Sequence, residues 1–140
     1  MARTATAEWK GDLMGGSGHV ALGSGAFEGA YSFATRFGEE TGANPEELLG
    51  AANAACFSMA LANSLAKAGF TATSVATTAS VHLGKDEAGF KITRIDLDCT
   101  ATVPGVDAST FATHAEQAKS GCIISRALAA TDITLKATLA

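Results

Sequence analysis

The chain has 140 residues, enough for one domain that buries most of its apolar surface. It is 47% hydrophobic and 17% charged, which excludes a disordered chain, and its net charge of −4 argues against nucleic acid or an anionic membrane as partner. Cys56, Cys99 and Cys122 lack any C-x-x-C spacing, so neither a zinc site nor a disulfide framework is expected.

Residues 1–12 are mixed polar, with no apolar run of signal-peptide type, and the expected compartment is the cytoplasm. Residues 4–9, 18–22 and 28–33 read as short strands joined by glycine turns. Six of the 15 glycines fall between Gly11 and Gly25. The run GGSGHVALGSG lacks the Lys-Ser/Thr of a phosphate loop and is not followed by a helix, so it reads as hairpin turns. Residues 34–43 read as a polar connection.

Residues 45–68 predict one long helix, roughly 36 Å at 1.5 Å per residue. Asn44 is placed to cap it, Pro45 suits the first helical position, and Glu46 and Glu47 suit the dipole. Gly69 is placed to end it, with Lys67 in the last turn. Between Leu48 and Ala62 only Gly50, Asn53 and Ser58 are not apolar. Those polar interruptions and the caps argue against a membrane span. A helix apolar nearly all round must be covered nearly all round. One sheet covers only one face, so a second subunit is expected to cover the rest. Cys56 sits in its middle.

After Gly69 the pattern changes to period two. Val75, Thr77, Ala79, Val81 and Leu83 share one face, and residues 84–89 read as a hairpin turn. The return strand, 90–103, puts Ile95, Leu97, Cys99, Ala101 and Val103 on one face and Arg94, Asp96 and Asp98 on the other. Phe90 and Ile92 fall on the charged face, which predicts a bulge or twist near Thr93. Pro104 and Gly105 break the strand. A helix over 107–120 stops at Gly121, a short helix over 122–128 starts at Cys122, and 131–139 reads as a last strand. No repeat or linker interrupts the chain, so a single domain over 1–140 is expected.

Taken alone, Cys99 is a small hydrophobe on an apolar strand face. Cys56 is either core or reactive; at mid-helix it gains nothing from a helix N-terminus, so a reactive Cys56 needs positive charge from elsewhere. Cys122 begins a helix, where free N–H groups favour a thiolate. Arg36 alone is a loop charge and Glu46 a first-turn acid. His19, His82 and His114 show no ligand spacing.

The segments FATRF (33–37), NPEELLGAANAACFSMAL (44–61), PGVDASTF (104–111) and AKSGCIIS (118–125) together resemble the osmotically inducible protein C group of the OsmC/Ohr superfamily of thiol-dependent hydroperoxide reductases. The resemblance covers essentially the whole chain. It implies an α+β fold, antiparallel sheets packed on a long central helix in an intertwined homodimer. It also implies a peroxidatic Cys56, a resolving Cys122, an Arg36 that stabilises the thiolate and a Glu46 that holds Arg36. The implied chemistry reduces an organic hydroperoxide through a Cys56 sulfenic acid and a Cys56–Cys122 disulfide, recycled by a lipoyl-type or other dithiol. No metal, flavin or haem enters it. Where the family usually has Cys-Pro, this chain has Cys122-Ile123, and a looser turn is expected there. Cys56 comes ten residues after Glu46 on one helix, roughly 15 Å of rise, so Arg36 and Glu46 are expected to serve the Cys56 of a partner chain. The other readings are a thiol redox sensor and a non-enzymatic dimeric binding module.

Overall fold

In the computed structural model, which describes residues 1–140, the chain divides into two units, Met1–Leu48 and Leu49–Ala140. In the first, β1 (Ala5–Lys10), β2 (Ser17–Leu22) and β3 (Glu28–Tyr31) form an antiparallel meander. Gly18 stands opposite both Trp9 and Tyr31, and a Cβ on it would collide with both rings. Glycine there lets the two rings meet at 5.4 Å between centroids. The glycine-rich run supplies hairpin turns, as its composition predicts.

The third strand ends two residues before its expected limit, Phe33. Ser32 Oγ accepts the Thr35 N–H at 3.2 Å and Thr35 Oγ1 accepts the Ser32 N–H at 2.9 Å. This reciprocal cap starts a five-residue helix, α1 (Phe33–Phe37), inside the stretch read as strand and connection. No residue of Met1–Leu48 is fully buried.

The long helix α2 runs Pro45–Lys67. Asn44 Oδ1 accepts the Glu47 N–H at 2.8 Å, one of the four donors a helix start leaves over. At the far end Gly69 takes φ +91°, the Phe70 N–H donates to the Leu65 carbonyl at 2.9 Å and the Gly69 N–H to that of Ala66 at 3.0 Å. That Schellman closure requires the left-handed residue that glycine provides. The helix buries Gly50, Asn53, Phe57, Leu61 and Leu65. Ala51, Ala52, Ala55, Met59 and Ala66 are exposed, so within one chain the expected cover reaches a single face. By length and composition α2 is apolar enough to cross a membrane, but its buried row makes it the core helix of the second unit.

In Leu49–Ala140, β4 (Ser74–Asp86) pairs antiparallel with β5 (Gly89–Thr102). The expected turn over 84–89 shrinks to Glu87 and Ala88, with Gly89 at φ +123°. The predicted bulge is present: His82 faces Arg94 and Leu83 faces Ile92, so Thr93 is the extra residue. Gly84 makes room for it, since a Cβ there would lie 2.6 Å from Thr93 Cγ2. Beyond the bulge Ile95, Leu97, Cys99 and Ala101 all face the core.

α3 (Ala108–Gly121) is capped by Asp107, which accepts the Thr110 N–H at 2.9 Å and its hydroxyl at 2.7 Å. After α4 (Ile123–Ala127) comes β6 (Asp132–Leu139), which joins β5 parallel, where antiparallel sheets were expected. The reason is the crossover: α3 and α4 carry the chain back along the sheet, and only a crossover of that length can join parallel neighbours. Phe57, Leu61 and Leu65 of α2 and Phe111, Ala115 and Ala118 of α3 share one core with β5. Burial of each large side chain contributes about 1.5–3 kcal/mol. Gly50 sets how closely α2 approaches the sheet, since a Cβ there would lie 3.2 Å from Val81 Cγ2.

Candidate active site

Each unit holds one pair of the residues singled out by sequence. In the first unit the one-turn helix α1 presents Arg36, and the first turn of α2 presents Glu46. Arg36 Nη2 donates to Glu46 Oε1 at 2.8 Å, and Nε donates to Oε1 at 3.2 Å and Oε2 at 3.3 Å. The planar guanidinium is thus clamped at two nitrogens. The Glu46 side chain is 13% exposed and that of Arg36 38%, so the carboxylate is the anchor and the guanidinium keeps an open side. Arg36 lines a cleft of about 450 Å³ with Trp9, Leu13, Tyr31, Phe33 and Phe37.

In the second unit α2 carries Cys56, half-buried, and the α3–α4 corner carries Cys122, 1% exposed. The two thiols are near enough for each to shift the other's titration. Burial raises the Cys56 thiol and the bond to Cys122 raises it further, against the N–H groups of Ile124 and Ile123; it ends above the ordinary thiol value. Burial also pushes Cys122 up, but the hydrogen bond from Cys56, the Ser125 N–H and side chain, and the Ile124 N–H outweigh it and hold this thiol below the ordinary value. The sulfurs titrate as a pair. Within one chain Cys122 is the thiol that gives up its proton more readily.

The corner that holds Cys122 is built twice over. Its N–H closes α3 on the Ala118 carbonyl at 2.9 Å, and its carbonyl accepts the Arg126 N–H, also at 2.9 Å, to open α4. Its Sγ accepts the Ser125 N–H at 3.5 Å. The turn closes without the proline usual in the family, and Ile123, 74% exposed, adds an N–H that proline lacks.

Two residues at this site escape the sequence reading. Asn53, fully buried and one turn before Cys56, donates from Nδ2 to Ser125 Oγ at 3.0 Å and reaches Cys122 Sγ at 4.0 Å. Its Oδ1 is buried with no partner. The signals were a lone amide in an apolar helix three residues before Cys56, and a serine three residues after the cap at Cys122. Cys99 is fully buried; burial raises its thiol against a hydrogen bond from Thr77, as suits a core residue. His19, His82 and His114 pair separately with Glu28, Asp96 and Ser64.

The family model described as OsmC-like protein matches residues 38–137. The chain is 54% identical over 130 residues to the Peroxiredoxin OsmC of Escherichia coli (strain K12), spanning 92% of this chain and 90% of that protein. Among solved structures it resembles an organic hydroperoxide resistance protein from Elizabethkingia anophelis, with a TM-score of 0.73 and 28% identity over 100% of this chain and 97% of that one. An OsmC-like protein of unknown function from Vibrio cholerae shares the fold, with a TM-score of 0.78 at 16% identity over 98% of this chain and 99% of that one.

Proposed function

The chain belongs to the OsmC family, and on that premise we propose that it is a thiol-dependent peroxidase that reduces organic hydroperoxides to alcohols. The observation that carries this reading is a half-buried Cys56 on α2 coupled to a buried Cys122, whose sulfur accepts the Ser125 N–H at the start of α4. The Cys56 thiolate attacks the terminal peroxide oxygen; the O–O bond breaks, and the alkoxide leaves and takes a proton to become the alcohol. Cys56 is left as a sulfenic acid. The Cys122 thiolate then attacks the Cys56 sulfur, the S–O bond breaks, and the departing hydroxide takes a proton to become water. An external dithiol returns the Cys56–Cys122 disulfide to two thiols and is itself oxidised.

Cys56 must lose its proton for the first step, and a cation is the missing ingredient. We assign that role to Arg36, held by Glu46, of the partner subunit in a homodimer. The open apolar row Ala51, Ala52, Ala55 and Met59 on α2 supports a second copy packed there, since Met59 is 74% exposed in one chain. The aromatic cleft beside Arg36 suits an alkyl or aryl hydroperoxide better than hydrogen peroxide.

Consumption of cumene hydroperoxide with dihydrolipoamide or dithiothreitol tests the activity. Sustained turnover is expected; a single oxidation without turnover marks a sensor, and no oxidation an inert binding module. Refolding Cys56→Ser and Arg36→Ala chains together tests the shared site. Random pairing restores roughly a quarter of the unmutated activity, because half the dimers are mixed and each regains one site. Mixed dimers that stay inactive place the site within one chain.

A further inference from the structure

We propose that Asn53 is a positioning residue for the second chemical step, holding Cys122 as the sulfur that attacks the Cys56 sulfenic acid. The proposal rests on the peroxidase reading and concerns a residue that reading does not use. The Cys122 sulfur faces donors: the Ser125 N–H at 3.5 Å and Asn53 Nδ2 at 4.0 Å. Asn53 Nδ2 also donates to Ser125 Oγ at 3.0 Å, which ties the two groups around the sulfur into one network. The other end of the amide, Oδ1, is buried and unpartnered.

A buried amide oxygen without a donor is costly, and natural cores seldom keep one without a compensating use. Here a half-turn of the amide would bring Oδ1 to the Ser125 hydroxyl and the Cys122 sulfur. In that setting the oxygen accepts from the hydroxyl, and from Cys122 only if the sulfur carries a proton. The observed setting keeps the Ser125 hydrogen bond with the amide as donor and presents an N–H edge to the sulfur, and either setting leaves one end of the amide unpaired. It is the setting that fits a sulfur without its proton, the form that attacks. A leucine in this place would have the same branched outline in a larger volume, leave no orphan oxygen and offer the sulfur nothing. Asn53 therefore trades packing for orientation at the step in which the Cys122 sulfur bonds to Cys56 and hydroxide leaves.

The test separates the two half-reactions. Reduced protein is mixed with cumene hydroperoxide; Cys56 sulfenic acid is trapped with a carbon nucleophile, and the Cys56–Cys122 disulfide is timed by mass spectrometry. In Asn53→Leu, Cys56 oxidation is expected at the unmutated rate and disulfide formation roughly tenfold slower. Ser125→Ala keeps the N–H to sulfur and removes the hydroxyl that anchors the amide, so a smaller slowing of the same step is expected. Ordinary disulfide formation in both variants overturns the proposal, and so does equal slowing of both steps with a lowered midpoint, the mark of a merely structural residue. If Asn53→Leu does not fold, an unaltered second step in Ser125→Ala overturns it alone. Failure of unmutated Cys56 to oxidise strikes the peroxidase reading first and this proposal with it, a result distinct from normal oxidation followed by normal resolution.

Discussion

The two units of this chain hold their polar chemistry in opposite ways. Met1–Leu48 has no fully buried residue, and its ion pair between Arg36 and Glu46 is anchored by a carboxylate and left open on the guanidinium side. Leu49–Ala140 has a closed core, and of its paired thiols Cys122 is almost wholly buried. The contrast fits the two tasks proposed for them. A guanidinium keeps its charge wherever it is placed and needs only to be aimed. A thiol changes reactivity with every neighbour, so its surroundings must be fixed.

The sharpest way to break the comparison is at the sulfurs. Cys56→Ser is expected to reduce peroxide consumption to the uncatalysed background, while Cys99→Ser, equally cysteine but core, stays near the unmutated rate. Equal losses would mean that burial and not motif position decides which thiol reacts. Next in size is the packing contrast, read by urea denaturation. Phe57→Ala in the closed core is expected to cost about 3–5 kcal/mol. Val20→Ala on the half-open sheet is expected to cost about 1 kcal/mol. A loss at Val20 matching that at Phe57 would show that this sheet is covered from outside the chain.

Arg36→Ala is expected to slow alkylation of Cys56 at neutral pH roughly tenfold, the worth of one charge-assisted contact to a thiolate. Arg36→Lys restores part of it, because an ammonium lacks the planar fork that Glu46 grips. An unchanged alkylation rate in Arg36→Ala would detach the ion pair from the thiols altogether. The smallest effect is expected from Ile123→Pro. Proline fits the first helical position and leaves α4 intact, but deletes an N–H that helps pull the Cys56 thiol down. Its loss raises that thiol further, so alkylation should slow about two- to fivefold. Faster alkylation would reverse the sign of this donor.

Much of this was legible in the sequence because it is local. Asn44, Asp107 and Gly69 announce helix ends through their own side chains or lack of one, and the core face of β5 follows from period two. Thr93 was marked by Phe90 and Ile92 falling out of phase. The elements that escaped depend on short or distant partners. α1 has too few residues for a periodic signal, and only the pairing of Ser32 with Thr35 gives it away. The parallel seating of β6 is decided by the crossover through α3 and α4, which no pattern within β6 encodes. Arg36, Glu46, Cys56 and Cys122 were named through motif resemblance, whereas Asn53 and Ser125 meet only once α2 and the α3–α4 corner have packed.

Cys122 ends one helix and begins the next, with its sulfur serving as the cap of the second. A sulfur in a disulfide is a much poorer acceptor than a thiolate. If the proposed Cys56–Cys122 disulfide forms, the redox state of the protein is written into its backbone as well as its side chains. Reduced, α4 starts on a capped turn; oxidised, the Ser125 amide loses its acceptor, and the first turn of that five-residue helix becomes the place where amide exchange should quicken. A reductase meeting this protein would thus find the oxidised form distinguished by a loosened corner, a shape rather than a bond.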